Sequence, residues 1–373
     1  MGKAMKRIGI DLRMASYTGV GRYVRCLVPA LLAGSPAKKI SWVGLANPGQ
    51  DLGWLDQSME IARPETPILP YSLREQMALG KVLDRLRCDL VHLPHFTFPW
   101  RPPRAPVVST IHDLIYMETS GAGRTPLHEW AARRTLRRCA EQSRRIIAVS
   151  NFTKDRIVAR LGVPAGKIRV VYHGGEHAAE GSGEGAPREP STLLSVGNHL
   201  PHKNLPFLMR VFARVLAERP LASLVVAGPR GRHTSVAEEA ARGAGVAGQV
   251  TWISPETDAG VWALYRRATL LVFPSRYEGF GFPVLEAMTL GLPVVAADAT
   301  SIPEVAGPAA LLLPPGDEAA WAGAILSLLN DPARRTALFD AGRLRAREFS
   351  WERSATETLA VYEEVLESAD SGR

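Results

Sequence analysis

The second half of the sequence contains the stretch Pro274-Ser-Arg-Tyr-Glu-Gly-Phe-Gly-Phe-Pro-Val-Leu-Glu-Ala-Met-Thr-Leu-Gly-Leu-Pro293. An apolar run precedes it, a glycine-bearing turn comes next, and helical spacing begins near Phe282, where the following proline suits the first turn of a helix. This order predicts a buried strand that leads through a short loop into a helix. Glu278 is expected in the loop and Glu286 one turn inside the helix. The N–H groups of residues 279 to 282 are then expected at a helix N-terminus, which binds anions and sugar hydroxyls.

The same alternation of short apolar runs and helical segments continues through the chain and is typical of parallel βαβ units. We predict two doubly wound parallel sheets of the α/β class. The predicted strands are 7–11, 40–45, 89–93, 106–112, 145–150 and 168–172 in the first, and 192–197, 222–227, 249–253, 269–274, 293–297 and 310–313 in the second.

The predicted domains are residues 1–180, residues 181–349 and a terminal helix over 350–373. Glycine, proline and other small residues without periodicity predict a linker over Glu176–Pro190. The second predicted sheet is complete by Leu313, and helices between Glu318 and Arg347 can cover it. The amphipathic helix that begins at Ser350 has no vacant place there, so we expect it to cross back onto the first domain, anchored by Trp351.

Composition restricts the class of protein. Hydrophobic residues make up 46% of the 373 and charged residues 22%, which is typical of a globular protein, and no apolar run reaches the roughly 20 residues that cross a bilayer. The N-terminus lacks the apolar core of a signal peptide, so we expect a cytoplasmic location. Three cysteines fit neither a disulfide framework nor a zinc site.

Charge is divided unevenly. The formal charge is +13 over residues 1 to 176 and −5 over the rest. Such an imbalance indicates that the first half faces an anionic partner, although a generally basic surface would look the same. Nucleic acid is a poor fit because no basic-aromatic motif accompanies the charge.

A basic residue follows the first strand of the second domain, in Ser195-Val-Gly-Asn-His-Leu-Pro-His-Lys-Asn-Leu205. A glycine turn and a cation near a helix start suit a diphosphate, whose charge needs more than N–H donors. Lys203 is therefore a candidate diphosphate ligand.

Two further candidate groups lie in the first half. Gly19 and Gly21 are expected in the turn between the first strand and the first helix, although such glycines also serve tight turns. His112 and Asp113 end a predicted strand at the edge where open α/β sheets bind ligands. Asp113 is expected to cap the next element and to orient His112.

Taken alone, either Glu278 or Glu286 fits a solvated turn or a helix-dipole contact better than a ligand site. In their glycine-rich setting, however, the two glutamates and the seven residues between them resemble the motif of glycosyltransferase family 4. The resemblance covers nearly the whole chain and extends to Thr300-Ser-Ile-Pro-Glu-Val305. It implies the GT-B fold, with two Rossmann-like domains facing a central cleft, an acceptor-side first domain and a nucleotide-sugar-binding second domain.

The resemblance also implies site residues. Glu278 is expected to contact the donor hexose and Glu286 the ribose. The expected catalytic residues are His112, Lys203 and Glu278. The expected donor-binding residues are Gly19, Gly21, His202, Lys203, Glu278, Gly279, Phe280, Gly281, Phe282 and Glu286. Family members resembling this sequence usually have Arg-Lys where His202-Lys203 stands, which puts the second cationic contact in doubt. Ile253–Glu256 and Pro229–Gly231 are expected to line the base pocket.

The implied activity is a retaining hexosyl transfer without a metal or other cofactor. No Asp-x-Asp occurs in the sequence, and no carboxylate can be assigned as the nucleophile of a two-step retaining mechanism, so a front-face substitution is favoured. The overall pattern most resembles bacterial mannosyltransferases of cell-surface polysaccharide assembly. We therefore favour GDP-mannose over a UDP-sugar as donor and a lipid-linked glycan as acceptor.

A basic amphipathic helix is predicted between residues 126 and 147. Six arginines are expected on one face, at 133, 134, 137, 138, 144 and 145, with Trp130, Leu136, Cys139 and Ala140 on the other. Such a helix can lie on anionic lipid at the inner face of the cytoplasmic membrane, although a packed helix with solvated arginines fits equally well.

Two other functions stay open from the sequence. A nucleotide-sugar 2-epimerase or a sugar phosphorylase can use the same fold. A non-catalytic partner that binds a sugar nucleotide is the alternative outside the enzymes, and His202 is its only support.

Overall fold

A computed structural model describes residues 5–35, 39–55, 58–118, 125–178 and 188–370. The chain divides into two compact units. The first comprises Met1–Gly174 and Ser350–Arg373, and the second comprises Gly175–Phe349. Residues 179–187 of the predicted linker lie outside the described residues. Arg188 is the first described residue after this gap and belongs to the second unit. Its guanidinium donates to the carbonyls of Ala268 and Gly291 at 2.8 and 2.9 Å.

The first unit contains a seven-stranded parallel sheet in the order β3-β2-β1-β4-β5-β6-β7. The strands are β1 (Lys6–Asp11), β2 (Ile40–Leu45), β3 (Glu60–Ala62), β4 (Leu90–Leu93), β5 (Val107–Ile111), β6 (Arg145–Ala148) and β7 (Ile168–Val170). Six of these were predicted to within two residues of their observed ends. The edge strand β3 was missed because three residues are too few to show a period of two.

Helices cover this sheet. They are α1 (Gly19–Gly34), α2 (Leu73–Arg85), α3 (Ile115–Glu118), α4 (Pro126–Gln142), α5 (Asn151–Leu161) and α13 (Trp351–Asp370). The core lies between them, where Leu79, Val91, Ile111 and Leu136 are fully buried. Side-chain oxygens of Ser72, Thr125 and Ser150 cap α2, α4 and α5 at their N-termini, which satisfies backbone donors that a helix leaves unpaired.

The terminal helix α13 packs against α1 in the first unit. Its Tyr362 hydroxyl lies 2.6 Å from Nδ1 of His92, a buried residue of β4. Nε2 of the same ring is 2.8 Å from the Thr110 hydroxyl, which is 2.9 Å from the Tyr23 hydroxyl. This buried chain of hydrogen bonds joins α13, β4, β5 and α1.

The second unit contains a six-stranded parallel sheet in the order β10-β9-β8-β11-β12-β13. The strands are β8 (Thr192–Val196), β9 (Ser223–Ala227), β10 (Val250–Ile253), β11 (Leu270–Phe273), β12 (Val294–Ala297) and β13 (Leu311–Leu313). All six were predicted to within one residue of their observed ends. Strand order reverses between β8 and β11, and ligands of open α/β sheets bind beyond the carboxyl ends of the strands at such a point.

The helices of the second unit alternate with its strands along the chain. They are α6 (Leu205–Glu218), α7 (Thr234–Gly243), α8 (Asp258–Arg267), α9 (Phe282–Thr289), α10 (Ile302–Ala306), α11 (Glu318–Asn330) and α12 (Pro332–Ala346). Alternation of strand and helix with all-parallel pairing makes each unit a Rossmann-like, doubly wound domain. The predicted fold class is confirmed.

Candidate active site

The loop after β8 places a lysine at the point where strand order reverses. Gly197 directly follows the strand with φ +143°, and a Cβ there would lie 3.2 Å from Cε of Lys203. The chain then makes a 3-10 turn over Pro201–Lys203 and enters α6. Glycine is favoured here for two reasons. Residues with a Cβ rarely adopt this backbone conformation, and a Cβ would also press against the Lys203 side chain.

The loop after β11 brings Glu278 to the same point. Its backbone is tied to the first loop, since the Arg276 N–H donates to the His202 carbonyl at 2.8 Å. Nζ of Lys203 lies 2.5 Å from Oε1 of Glu278, and the two side chains are 11% and 14% exposed. The ammonium also lies 5.2 Å from the centre of the Phe273 ring. The structure therefore pairs two of the predicted site residues, Lys203 and Glu278. The backbone carbonyl of His202 accepts the hydrogen bond that connects the two loops.

Two hydroxyl residues that sequence reasoning gave no role hold the Glu278 loop from the other side. The Glu278 N–H donates to Oγ1 of Thr300 at 3.0 Å. The buried Ser301 hydroxyl is 3.0 Å from the carbonyls of both Glu278 and Phe280. The only sequence signal for them was the match of the 300–305 segment to the family pattern. Because the loop is held at both ends, the Glu278 carboxylate loses little conformational entropy when it binds a ligand.

Helix α9 begins at Phe282, as predicted, and Gly281 precedes it with φ +107°. Residues with a Cβ rarely adopt that conformation, so glycine at this position lets the chain turn from the loop into α9. Phe280 is 4% exposed and packs against the Phe282 and Phe349 rings at centroid distances of 5.6 and 6.0 Å.

Glu286 lies deeper than Glu278. Its carboxylate is 1% exposed, with Oε1 3.4 Å from Nε2 of His177 and Oε2 accepting a 2.9 Å bond from the Tyr265 hydroxyl. His177 packs edge to face against Trp262 and Phe282. The two glutamates thus have different surroundings, one paired with a cation and one held by a buried phenol and an imidazole. The ribose role of Glu286 stays a prediction.

The loops after β9 and β10 lie beside the β8 loop. A Cβ on Gly228 would come within 1.9 Å of the Gly197 carbonyl oxygen, so only glycine permits this approach. The Ser254 hydroxyl donates to the Gly228 carbonyl at 3.0 Å. His199 is 7% exposed, with Nδ1 2.7 Å from the Thr234 hydroxyl. These loops include the segments predicted to line the base pocket, and that role also stays a prediction.

In the first unit, His112 follows β5 at the carboxyl edge of the sheet. Its Nε2 donates to the Pro94 carbonyl at 2.9 Å. Burial lowers the pKa of His112 to about 4, and the bond to Pro94 opposes this in part. The imidazole is therefore neutral at pH 7, with the proton on Nε2. The Asp113 carboxylate accepts from the Ile115 N–H at 2.9 Å, which is the capping role predicted for it.

Aromatic rings hold His112 in place. Tyr23 packs edge to face on it at 4.9 Å, and His173 lies 5.6 Å away. Trp351, the first residue of α13, stacks on His173 at 5.6 Å with 26° between the ring planes. The sequence did not indicate these contacts, because the rings come from four separate elements.

The predicted position of Gly19 and Gly21 was wrong in one respect. Both glycines lie in the first turn of α1 and not in the loop before it. A Cβ on Gly21 would lie 2.5 Å from the Ala15 carbonyl oxygen, whereas one on Gly19 meets nothing within 4 Å. Gly21 is thus required by close packing of α1 on the loop that precedes it, and Gly19 is not.

The predicted faces of helix α4 also need correction. Leu136, Cys139 and Ala140 are fully buried, but Trp130 is 59% exposed. Six residues are not a whole number of turns, so Trp130 lies about 120° around the helix from Leu136. The helix ends at Gln142, and the arginines at 144 and 145 therefore lie beyond it.

Within the residues that the structure describes, no helix is long and apolar enough to cross a membrane. The same residues contain no group of three or more histidine, cysteine, aspartate or glutamate side chains that could hold a metal ion.

Comparison with known proteins identifies the family of this chain. Residues 180–345 match the family described as Glycosyl transferases group 1, and residues 17–177 match the one described as Glycosyltransferase Family 4. The chain is 30% identical over 292 residues to O-antigen chain mannosyltransferase B of Escherichia coli, covering 73% of this chain and 74% of that protein. The chain belongs to glycosyltransferase family 4 and carries the domains of a hexosyltransferase.

Other relatives differ in their named substrates. D-inositol 3-phosphate glycosyltransferase of Rhodococcus opacus is 30% identical over 69% of this chain, which spans 61% of that relative's length. MMP alpha-(1->4)-mannosyltransferase of Mycolicibacterium hassiacum is 31% identical over 70% of this chain and 66% of its own.

Solved structures agree on the fold. Sucrose-phosphate synthase from Thermosynechococcus elongatus superposes with a TM-score of 0.74 at 20% identity, covering 97% of this chain and 100% of its own. Anabaena HepE in complex with UDP-glucose gives 0.70 at 16% identity, with 95% and 100% covered. At these identities the likeness shows the GT-B fold alone.

Proposed function

We propose that this protein transfers mannose from GDP-mannose to a lipid-linked glycan, with retention of anomeric configuration, in the assembly of a cell-surface polysaccharide. The observation that carries the proposal is the Lys203–Glu278 pair at the reversal of strand order, beside the N-terminus of α9. This arrangement offers one cation and several backbone donors to a diphosphate, and one carboxylate to sugar hydroxyls.

The proposed chemistry depends on leaving-group stabilisation. The bond between the anomeric carbon and the diphosphate oxygen breaks, and the acceptor oxygen bonds to the same face while its proton passes to the departing phosphate. Lys203, with His202 beside it, and the backbone of residues 279–282 receive the developing negative charge. Glu278 orients the hexose and Glu286 the ribose, while neutral His112 accepts a sugar hydroxyl hydrogen bond at its unprotonated Nδ1. Gly19 and Gly21 let the first turn of α1 approach the sugar and the β-phosphate.

Mannose is favoured because two relatives named above are mannosyltransferases. The UDP-glucose complex of a structural neighbour supports a UDP-sugar as the other candidate. A thermal-shift panel of GDP-, UDP- and ADP-sugars tests the choice, since a ligand at 100 times its dissociation constant stabilises by about 2.7 kcal/mol. A larger shift with UDP- than with GDP-sugars would contradict the proposed donor.

The lipid-linked acceptor is supported by the surface of α4. Trp130 and Leu127 are 59% and 71% exposed, and the Arg134 guanidinium lies 5.8 Å from the centre of the Trp130 ring. Exposed apolar side chains among arginines bind anionic lipid surfaces. We expect the protein to float with vesicles containing phosphatidylglycerol and not with neutral ones, and Leu127→Ser with Trp130→Ser to abolish flotation. Leu344→Ser, at an equally exposed leucine of α12, is the matched control.

Turnover assays separate the remaining functions. A transferase consumes the sugar nucleotide only when acceptor is present, apart from slow hydrolysis, and keeps its activity in EDTA. A nucleotide-sugar 2-epimerase converts the donor without acceptor, and a phosphorylase needs inorganic phosphate. A non-catalytic binding partner shows a thermal shift with the donor but no turnover with any membrane extract.

A further inference from the structure

A half-exposed aromatic ring lies close to His112 in the first unit and has no part in the site described so far. Tyr71, in the segment between β3 and α2, is 50% exposed. Its ring packs edge to face on His95 at a centroid distance of 5.6 Å. His95 in turn stacks on His112 at 6.2 Å with 24° between the planes. The tyrosine is therefore two ring contacts from the candidate catalytic histidine.

The backbone of Tyr71 is held in an unfavourable conformation. Its φ is +64°, in the left-handed region that residues with a Cβ rarely adopt. The Tyr71 N–H donates to Oε2 of Glu75 at 2.7 Å. Strained backbone that the surrounding structure maintains is concentrated at functional sites.

A buried ion network fixes that contact. The other oxygen of Glu75 lies 2.7 Å from the Arg13 guanidinium, which also pairs with Asp11 at 2.6 Å, and all three side chains are at most 4% exposed. Arg13 donates as well to the carbonyl of Ile68 at 2.9 Å. The network therefore secures the segment at both 68 and 71, and it fixes the backbone that carries the exposed tyrosine ring.

The His95 side chain, which contacts the Tyr71 ring, has one ring nitrogen without a hydrogen-bond partner among the described residues. The Tyr71 hydroxyl is 3.2 Å from Nε2 of His95, but Nδ1 of His95 has no hydrogen-bond partner among the described residues, and His95 is 7% exposed. A buried polar atom without a partner is costly, and a hydrogen-bond donor of a bound ligand would relieve that cost. Leu69 and Leu73 flank the tyrosine at 61% and 62% exposure.

We propose that Tyr71 and His95 form a binding subsite for a pyranose ring of the acceptor. The C–H face of the sugar packs on the exposed tyrosine ring, and a sugar hydroxyl bonds to Nδ1 of His95. A pyranose fits because it combines an apolar face with hydroxyls, as the subsite combines an apolar ring with an unsatisfied nitrogen. This inference rests on the proposed function, because the subsite holds the sugar that receives the transferred hexose.

Tyr71→Gly is the decisive variant because glycine adopts positive φ without strain. If the tyrosine serves binding, this change removes the ring while the thermal midpoint stays the same or rises. Tyr71→Phe keeps the ring and loses only the hydroxyl. Trp100→Ala removes another aromatic of the same unit, 52% exposed, and is the matched control.

Binding is measured directly by saturation-transfer NMR with octyl α-mannoside, β-glucoside, β-galactoside and N-acetyl-β-glucosaminide, so that no turnover is required. We expect the parent to bind at least one of them, Tyr71→Gly to bind it about tenfold more weakly, and Tyr71→Phe and Trp100→Ala to bind it like the parent. Equal binding by Tyr71→Gly, a loss of folding in that variant, or no binding of any glycoside by the parent would each overturn the proposal. Failure of the proposed function shows separately, as absence of transfer from every sugar nucleotide by a parent that does bind a glycoside.

Discussion

The Nζ atom of Lys203 lies 2.5 Å from Oε1 of Glu278, although 75 positions separate the two residues. The pair sets the lysine at the reversal of strand order, beside the N-terminus of α9. We expect Lys203→Ala to lower kcat/KM by an amount equivalent to about 2 to 4 kcal/mol, the scale of one lost contact to developing charge. Lys203→Arg keeps the charge and should retain part of the activity. An unchanged kcat/KM for Lys203→Ala would remove the lysine from the site.

Glu278→Ala should separate turnover from nucleotide binding. The carboxylate is expected to touch only the sugar, so kcat falls sharply. Its removal also frees the Lys203 ammonium from a competing anion, and the dissociation constant of the free nucleoside diphosphate should stay the same or decrease. Calorimetric titration of the nucleoside diphosphate checks this. Weaker binding of the diphosphate would mean that Glu278 supports the phosphate site and not the hexose.

Glu286→Ala should weaken binding of the nucleoside diphosphate if the carboxylate holds the ribose. The same change deprives the buried Tyr265 hydroxyl of its acceptor, which by itself costs about 1 to 3 kcal/mol of stability. Tyr265→Phe is therefore the necessary comparison, because it removes the internal bond and leaves the carboxylate. If both variants lose affinity equally, Glu286 acts by shaping the unit and the ribose assignment is wrong.

Gly228→Ala should disturb the nucleotide site through backbone alone. The added Cβ would come within 1.9 Å of the Gly197 carbonyl oxygen, which forces apart the loops after β8 and β9. Gly231→Ala meets nothing within 4 Å and serves as the control. We expect a marked rise in KM for the donor in the first variant and none in the second. Equal donor KM values would show that the approach of these loops is not needed for binding.

Stability of the first unit should fall as pH decreases below about 6.5. Burial lowers the pKa of His92 to about 3, and the charge of His112 acts in the same direction. An unfolded histidine titrates near 6.5, so the unfolded state takes up protons first, and the stability present above that pH is lost as pH falls towards 3. Denaturant unfolding at pH 8, 6 and 5, followed by amide exchange in α13, measures this. His92→Gln should flatten the dependence, and an equally steep profile in that variant would contradict the assignment.

Much of the fold could be predicted from the sequence because its determinants are local. Twelve of the thirteen strands follow from apolar runs between helical segments, and the turn into α9 from Gly281 and the proline after Phe282. The missed strand, Glu60–Ala62, is held by pairing with β2 at the sheet edge and not by its own pattern. The misplaced faces of α4 have a different origin, because the helical period itself separates Trp130 from Leu136 by about 120° around the helix.

The candidate site was predictable only as a set of residue types. Lys203, Glu278, Glu286 and His112 carry chemistry that a sequence motif preserves. Their partners do not follow from spacing. Sequence by itself determined the two parallel sheets, the turn into α9 and the family, since periodicity, turn residues and short motifs are read along the chain. Only the tertiary structure decided that Lys203 pairs with Glu278 and that the Tyr265 hydroxyl donates a hydrogen bond to Glu286. The same holds for the ion network that keeps Tyr71 in a left-handed conformation. These relationships join residues from 4 to 75 positions apart, and the Lys203–Glu278 pair arises because β8 and β11, adjacent in the sheet but distant in sequence, bring their loops to one edge.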